Sequence, residues 1–323
     1  MKQRLAKYKK IVQWALAFLC VGYIVSYFMR NADDLKVLGN VRPATIGALA
    51  VVYLVGQLLS CYRLRLVLET CSGEKLPFVK WFRVFILGRF LSMIIPQAGN
   101  VYQSMTLKKN HSISYTKYIA SLICFTWMDV CMNLIFALII VSITAPDFTI
   151  GTYKALHLLV GLIVCGVSGP IVLRFVLPAG RSSTSVFSWT RNRFAEVLHI
   201  SVRNLTDIPY MAKFFISGIV IYSNAMLLYY LCFSTLGKSV TFAPLALFMV
   251  VLTLSNRIII TPGNIGMREI AFGIASEQMN IGMAEGILAS ALIRVIITTI
   301  IAFLGVIFGG IDILRNKADK TDD

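Results

Sequence analysis

Six ionisable residues of this chain stand where ionisable residues are rare. Arg89, Asp129, Arg257, Arg268, Glu269 and Arg294 lie in or beside long apolar runs. A charge held at the middle of a membrane costs about 2.5–3.5 kcal/mol on insertion scales. Uncompensated, the set would cost on the order of 10 kcal/mol, comparable with the stability of a whole domain. Such residues must face a wet cavity or one another. Three chemistries are open to them: gripping an anion, pairing as a salt bridge, or exchanging a proton.

The densest group is Pro262-Gly263-Asn264-Ile265-Gly266-Met267-Arg268-Glu269. Proline removes a backbone donor and glycine unwinds the chain, so a helix entering this segment must break. A new half-helix is expected to begin near Gly266, with free N–H groups and a positive dipole end at its start. Glu269 in the first turn agrees with that dipole, whereas Arg268 opposes it. An Arg in that place suits a bound anion such as a phosphate, which its planar fork can grip. The alternative is a structural ion pair of Arg268 with Glu269 or with Asp129.

The counterpart break is Pro96-Gln97-Ala98-Gly99-Asn100. Gln103 follows it, able to donate and accept hydrogen bonds but carrying no charge. It reads either as a site residue or as a solvent-facing helix residue. Arg89 and Arg257 precede the two breaks at comparable positions, each placed to bind a headgroup or to snorkel to an interface. Arg294 lies within the last apolar run, with Ser290, Thr298 and Thr299 near it. Asp129 is either a proton site or, more plainly, an arginine counter-ion. The seven cysteines form no CxxC pair and His111, His157 and His199 are isolated, so no metal, disulfide or cofactor is expected. No GxxxxGK[ST], G-x-S-x-G or HExxH motif is present, which argues against an ATP-driven pump and against the commonest hydrolases.

The elements that must position these residues are membrane helices. The chain has 323 residues, 57% hydrophobic and 14% charged, well below the roughly 25% charged of soluble domains. Six stretches are long enough to cross about 30 Å of hydrocarbon. They are Ile11–Met29, Ala44–Tyr62, Lys117–Thr144, Ala155–Leu177, Lys213–Leu236 and Glu285–Ile313. Two more, Phe82–Pro96 and Phe242–Thr261, run into the breaks. The basic N-terminus before Ile11 resembles a signal peptide's charged region. The apolar run is too long and no small-x-small site follows, so it reads as a retained first span. Trp14, Trp81, Trp189 and Tyr53 stand near span ends and read as interface anchors.

Charge then sets sidedness. The net charge is +16, which on a soluble protein would suggest nucleic acid. Here it marks a side of a bilayer, and no nucleic-acid partner is expected. If each broken stretch enters the membrane and returns to its starting side, residues 1–10, 63–83, 108–117, 174–213 and 315–323 share one side and hold 22 of the 31 Lys and Arg. Arg30, Lys36, Arg42, Lys154 and Lys238 hold the other. That is a positive-inside pattern with both termini cytoplasmic. The fold expected is all-α and polytopic, with six full spans and two re-entrant broken-helix hairpins. They fall into two halves, residues 1–150 and 151–323. Each half has three crossings, so the second is inverted, and matching broken helices in inverted halves point to a midplane site. Residues 186–205 alternate Phe187, Phe194, Leu198 and Leu205 with Arg191, Arg193 and Arg203 at helical spacing, as an amphipathic helix on the cytoplasmic leaflet does.

With the breaks located, the sequence resembles the flippase-like transmembrane region of lysylphosphatidylglycerol synthases and the stand-alone membrane proteins related to it. Gly88, Pro96, Gly99 and Leu107 fit the first motif of that family, with Ser92 and Gln103 where Asn and Arg are usual. Pro262, Gly263, Gly266, Arg268 and Glu269 fit the second, Pro-Gly-Gly-x-Gly-x-Arg-Glu, with Asn264 replacing a Gly. Arg294 matches an Arg of the following span. Of the fourth-span motif only Asp129 remains, with Phe125 and Thr126 at the charged places. The resemblance implies a plasma-membrane protein that moves or presents an anionic phospholipid or a lipid-linked precursor for the cell envelope. The aminoacyl-transferase domain of the bifunctional members does not appear here, so lysyl transfer is not implied. Envelope-biosynthesis enzymes are the implied protein partners. Two other readings stay open: a membrane-embedded transferase using Asp129 or Glu269 as general base, and a non-transporting scaffold for envelope-lipid enzymes.

Overall fold

The computed structural model describes residues 42–95, 97–176, 208–255 and 264–318, with isolated positions before residue 30. The expected first span, the proposed amphipathic helix at 186–205, and Pro96, Arg257, Pro262 and Gly263 lie outside the described residues.

The described chain is helical apart from one small hairpin. Helix α1 runs Pro43–Ser72, α2 Phe78–Ile94, α3 Ala98–His111 and α4 Tyr115–Thr144. Strands β1 (Thr149–Ile150) and β2 (Tyr153–Lys154) pair antiparallel, Thr149 against Lys154, around Gly151 at φ +61°. Then follow α5 Ala155–Val176, α6 Ile208–Thr235, α7 Phe242–Ser255, α8 Met267–Gln278 and α9 Met283–Ala318.

Among the described residues four helices are long and apolar enough to cross a membrane: α1, α4, α6 and α9 over Met283–Gly309. At 1.5 Å per residue, the 30 residues of α1 and of α4 reach about 45 Å. Their outer faces are apolar. Ile143, Ile216, Val295 and Phe303 are all more than 60% exposed, as expected of side chains that meet lipid. The broken stretches behave differently. Helices α2 and α3 have 17 and 14 residues, α7 and α8 have 14 and 12. At about 18–26 Å, α2, α3 and α8 fall short of the hydrocarbon thickness. Within each pair the two arms pack against each other.

Two compact units emerge. One comprises the chain up to Leu54, Ile139–Leu156 and Asn224–Ile300; it holds the α7–α8 pair. The other comprises Val55–Leu138, His157–Ser223 and the chain from Ile301; it holds the α2–α3 pair.

In the second unit, the arms of the α2–α3 pair meet at two glycines. A Cβ on Gly99 would collide with the Gly88 carbonyl and Ser92 Oγ, and one on Gly88 would collide with the Gln103 side chain. Gln97 turns the chain between the arms at φ +69°. Trp81 Nε1 donates to the Cys61 carbonyl at 3.1 Å, tying α2 to α1. Arg83 donates to the Phe308 carbonyl at 3.1 Å, tying α2 to the end of α9. Trp81 is 2% exposed and Tyr53 7%. Both are core residues rather than interface anchors: Tyr53 lies in the middle of α1, and α2 already begins at Phe78, ahead of its apolar run.

In the first unit, α8 and α9 cross at Gly286, where a Cβ would overlap the Phe272 carbonyl and the Ser276 side chain. Small residues at such a crossing let membrane helices approach closely. Ser290 and Arg294 follow Gly286 at four-residue steps and so stand on the same stripe of α9.

Candidate functional site

Helix α8 starts as the glycines dictate. Gly266 at φ +79° is its N-cap, a conformation that suits glycine. Glu269, three residues on, reaches back: its Oε2 accepts from the Gly266 N–H at 2.7 Å. Its Oε1 accepts from Arg294 Nε at 2.7 Å, with Nη2 also at 2.7 Å. Ser290 Oγ donates to the same oxygen at 3.4 Å. Arg294 Nη2 donates further to the Asn264 carbonyl at 3.1 Å. Glu269 is only 6% exposed, so a buried carboxylate joins the half-helix start to α9.

Arg268 is not part of that pair. Its guanidinium lies 5.0 Å from the Phe272 ring centroid. Its Nη2 donates to Tyr229 Oη of α6 at 3.3 Å. Its Nε is buried with no hydrogen-bond partner among the described residues. Among those residues no carboxylate comes within ion-pair range of it. The two carboxylates that the sequence offers as its partners are engaged with other arginines: Glu269 holds Arg294, and Asp129 holds Arg63.

The Asp129 pair is the residue that sequence reasoning missed. Arg63 Nη1 donates to Asp129 Oδ1 at 2.7 Å, with Arg63 only 2% exposed. The guanidinium sits 4.0 Å from the Phe214 ring centroid of α6 and 3.0 Å from Met132 Sδ of α4. Gly218 of α6 leaves the space these side chains fill. Asp129 is thus an arginine counter-ion, as its plainer reading held. Arg63 is a buried helix residue and not the loop cation that its place beyond Tyr62 suggested, since α1 runs on to Ser72.

Gln103 is buried rather than solvent-facing, at 6% exposure. Its Nε2 donates to the Phe85 carbonyl at 3.3 Å and its Oε1 accepts from Tyr118 Oη at 2.6 Å. Nearby, Gly99 N–H donates to Ser92 Oγ at 3.2 Å. These bonds hold the α2–α3 pair and leave it electrically neutral at its crossing. Arg89 is exposed, 5.2 Å from the Phe85 ring centroid, and no carboxylate of the described residues pairs with it.

The structure therefore groups Arg268, Glu269, Arg294 and Gly266 in one unit, and Arg89, Gly99, Gln103 and Asp129 lie in the other. Among the described residues no three His, Cys, Asp or Glu side chains come together as metal ligands do.

Helices that can cross a membrane, paired short helices at Gly-rich breaks, and buried ion pairs between spans define a polytopic helical membrane protein. The model of the family described as the lysylphosphatidylglycerol synthase TM region matches residues 11–305. The chain belongs to that family, which ties it to lipid or envelope biology. Searches among curated proteins and among solved structures found no match.

Proposed function

We propose that the protein is a flippase-like lipid translocase that moves or presents an anionic phospholipid or lipid-linked precursor in envelope synthesis. The observation that carries this reading is Arg268. It stands in the first turn of a half-helix, whose positive dipole end favours an anion. Both carboxylates that the sequence offers as its partners are taken by other arginines. A cation so placed in apolar sequence is best balanced by an anionic ligand. Arg294, tied to Glu269 and 26% exposed, supports the same locus while Glu269 holds the half-helix start against α9. Arg89, which pairs with no carboxylate among the described residues, is the corresponding cation on the first broken stretch, and Arg257 is a further candidate contact.

In this reading the two broken stretches are re-entrant, the halves 1–150 and 151–323 are inverted repeats with six full spans, and both termini face the cytoplasm of the plasma membrane. The short, mutually packed arms α2 and α3, and the short α8 packed on α7, support re-entry, because none of α2, α3 and α8 alone reaches across the hydrocarbon.

The test is transbilayer movement of a fluorescent short-chain phosphatidylglycerol in proteoliposomes. Wild-type protein is expected to speed its appearance in the opposite leaflet well above protein-free vesicles. Arg268→Gln is expected to lower that rate by about ten-fold or more, since a charge-assisted contact is worth about 1.5–3 kcal/mol. Folded wild-type protein that leaves the rate at the protein-free level overturns the translocase reading.

A further inference from the structure

We propose that Tyr229 is a positioning residue for Arg268, holding its guanidinium ready for an anion; this rests on the anion reading of Arg268 above. An arginine side chain left to itself samples many rotamers, and ordering it on binding lowers affinity. Here the ordering is built into the fold. Tyr229 is 4% exposed and Phe272 is fully buried. The Tyr229 hydroxyl accepts from Arg268 Nη2, fixing the guanidinium in its plane, and the Phe272 ring faces it at 5.0 Å.

The two rings cannot easily give way. Tyr229 packs at 5.5 Å on Phe248 and at 5.9 Å on Phe272, Phe248 meets Phe272 edge-on at 4.8 Å, and Phe233 meets Phe248 at 5.2 Å. Four aromatic side chains from α6, α7 and α8 thus form a rigid bed under one cation. The contacts made are incomplete in a telling way. The Arg268 Nε–H is buried with no partner among the described residues. Buried polar groups are normally satisfied, so the orphan donor marks a side chain whose bonding the fold leaves incomplete, while Arg268 as a whole is half-buried and so still open in part to a ligand oxygen. A phosphate oxygen fits a donor of this kind, and the fork shape of arginine matters as much as its charge.

The experiment is native mass spectrometry of the purified full-length protein titrated with phosphatidylglycerol. Diacylglycerol of the same chains serves as the uncharged probe. Tyr229→Phe deletes one oxygen and keeps the ring bed. It is expected to weaken phosphatidylglycerol binding about ten-fold, to leave diacylglycerol binding and the melting temperature unchanged, and to add nothing to Arg268→Gln in the double variant. Arg268→Lys, which keeps the charge but cannot span the hydroxyl and a ligand together, is expected to fall to the level of Arg268→Gln. If Arg268→Gln weakens phosphatidylglycerol binding while Tyr229→Phe does not, Arg268 grips unaided and the positioning role is overturned. Equal weakening of both lipids by Tyr229→Phe also overturns it, since that is loss of packing. If Arg268→Gln itself keeps the preference for the anionic lipid, the anion reading fails and this inference falls with it.

Discussion

A buried arginine facing a carboxylate inside a bundle of membrane helices is a liability unless both are present. Arg63 and Asp129 meet at 2.7 Å with Arg63 only 2% exposed. Removing one partner of such a pair costs about 3–5 kcal/mol, because the remaining charge is stranded, whereas replacing both with apolar groups is often neutral. Asp129→Asn is therefore expected to lower thermal stability in detergent strongly, and Arg63→Met with Asp129→Leu to recover most of it. A melting temperature for Asp129→Asn equal to wild type would show that the pair contributes nothing. The need for a cation at Asp129 was legible, since an acid in a 28-residue apolar stretch demands one. Its identity was not. Arg63 follows the apolar run and neighbours Arg65, which is how loop cations look. The missed signal is periodicity: Cys61, Leu64, Val67 and Leu68 are all buried, so the inward stripe of α1 runs on past Tyr62 at helical spacing. The partner of Glu269 was open to the same kind of reasoning. Adjacent helical residues point about 100° apart and do not face each other, so Arg268 was poorly placed to pair with Glu269. An acid at the third helical position ordinarily reaches back to its own cap, as Glu269 does.

At the scale of elements, the positions of the two breaks were plain from Pro-Gly chemistry, and their consequences for packing were only half legible. Sequence placed Gly99 at a helix start. It could not say that Gly88 lies directly across from it, because that depends on how far the arms close on each other. The closure leaves no room for a methyl group, as the Gly88 carbonyl and Ser92 Oγ occupy the place a Gly99 side chain would take. Gly99→Ala is expected to pry the arms apart and destabilise the protein by about 1–3 kcal/mol. Ser92→Ala, which deletes only the hydroxyl that accepts from Gly99 N–H, is expected to cost about 0.5–1.5 kcal/mol. Denaturation in a mild detergent–denaturant series measures both. A Gly99→Ala protein as stable as wild type would mean that α2 and α3 do not close as described. The pairs also differ in kind. The first is tied by neutral hydrogen bonds through Gln103 and Tyr118. The second is fastened to α9 by the Glu269–Arg294 ion pair. Gln103, which stands where the family's first motif usually has an Arg, accounts for the neutral tie.

For the whole molecule, the decisive question is which side of the membrane each connection reaches. The positive-inside count assigns the ends of α3 and α4 near Ser112 to the cytoplasm, and Asp147, Lys238 and Asn280 to the far side. The described structure tempers one part of that count, since Arg63 is buried in α1 and no longer bears on sidedness. Without it 21 basic residues remain on the assigned cytoplasmic side against five, so the count still favours the same side. The α7–α8 pair makes the sharpest test, because Lys238 precedes it and Asn280 ends it. If the pair is re-entrant, both residues share a side; if its arms together cross the membrane, they lie on opposite sides. With the native cysteines replaced, single cysteines at Ser112, Asp147, Lys238 and Asn280 can be labelled in intact cells by a membrane-impermeant maleimide. Labelling is expected at positions 147, 238 and 280 from outside, and at 112 only after the membrane is opened. All four are polar positions at helix ends or in connections, and the cysteines at 147 and 238 give up only the partly exposed ion pairs with Lys154 and Glu285. Labelling of position 238 but not 280 from outside would make α7–α8 a crossing. It would remove the symmetry between the halves that the matching breaks suggest.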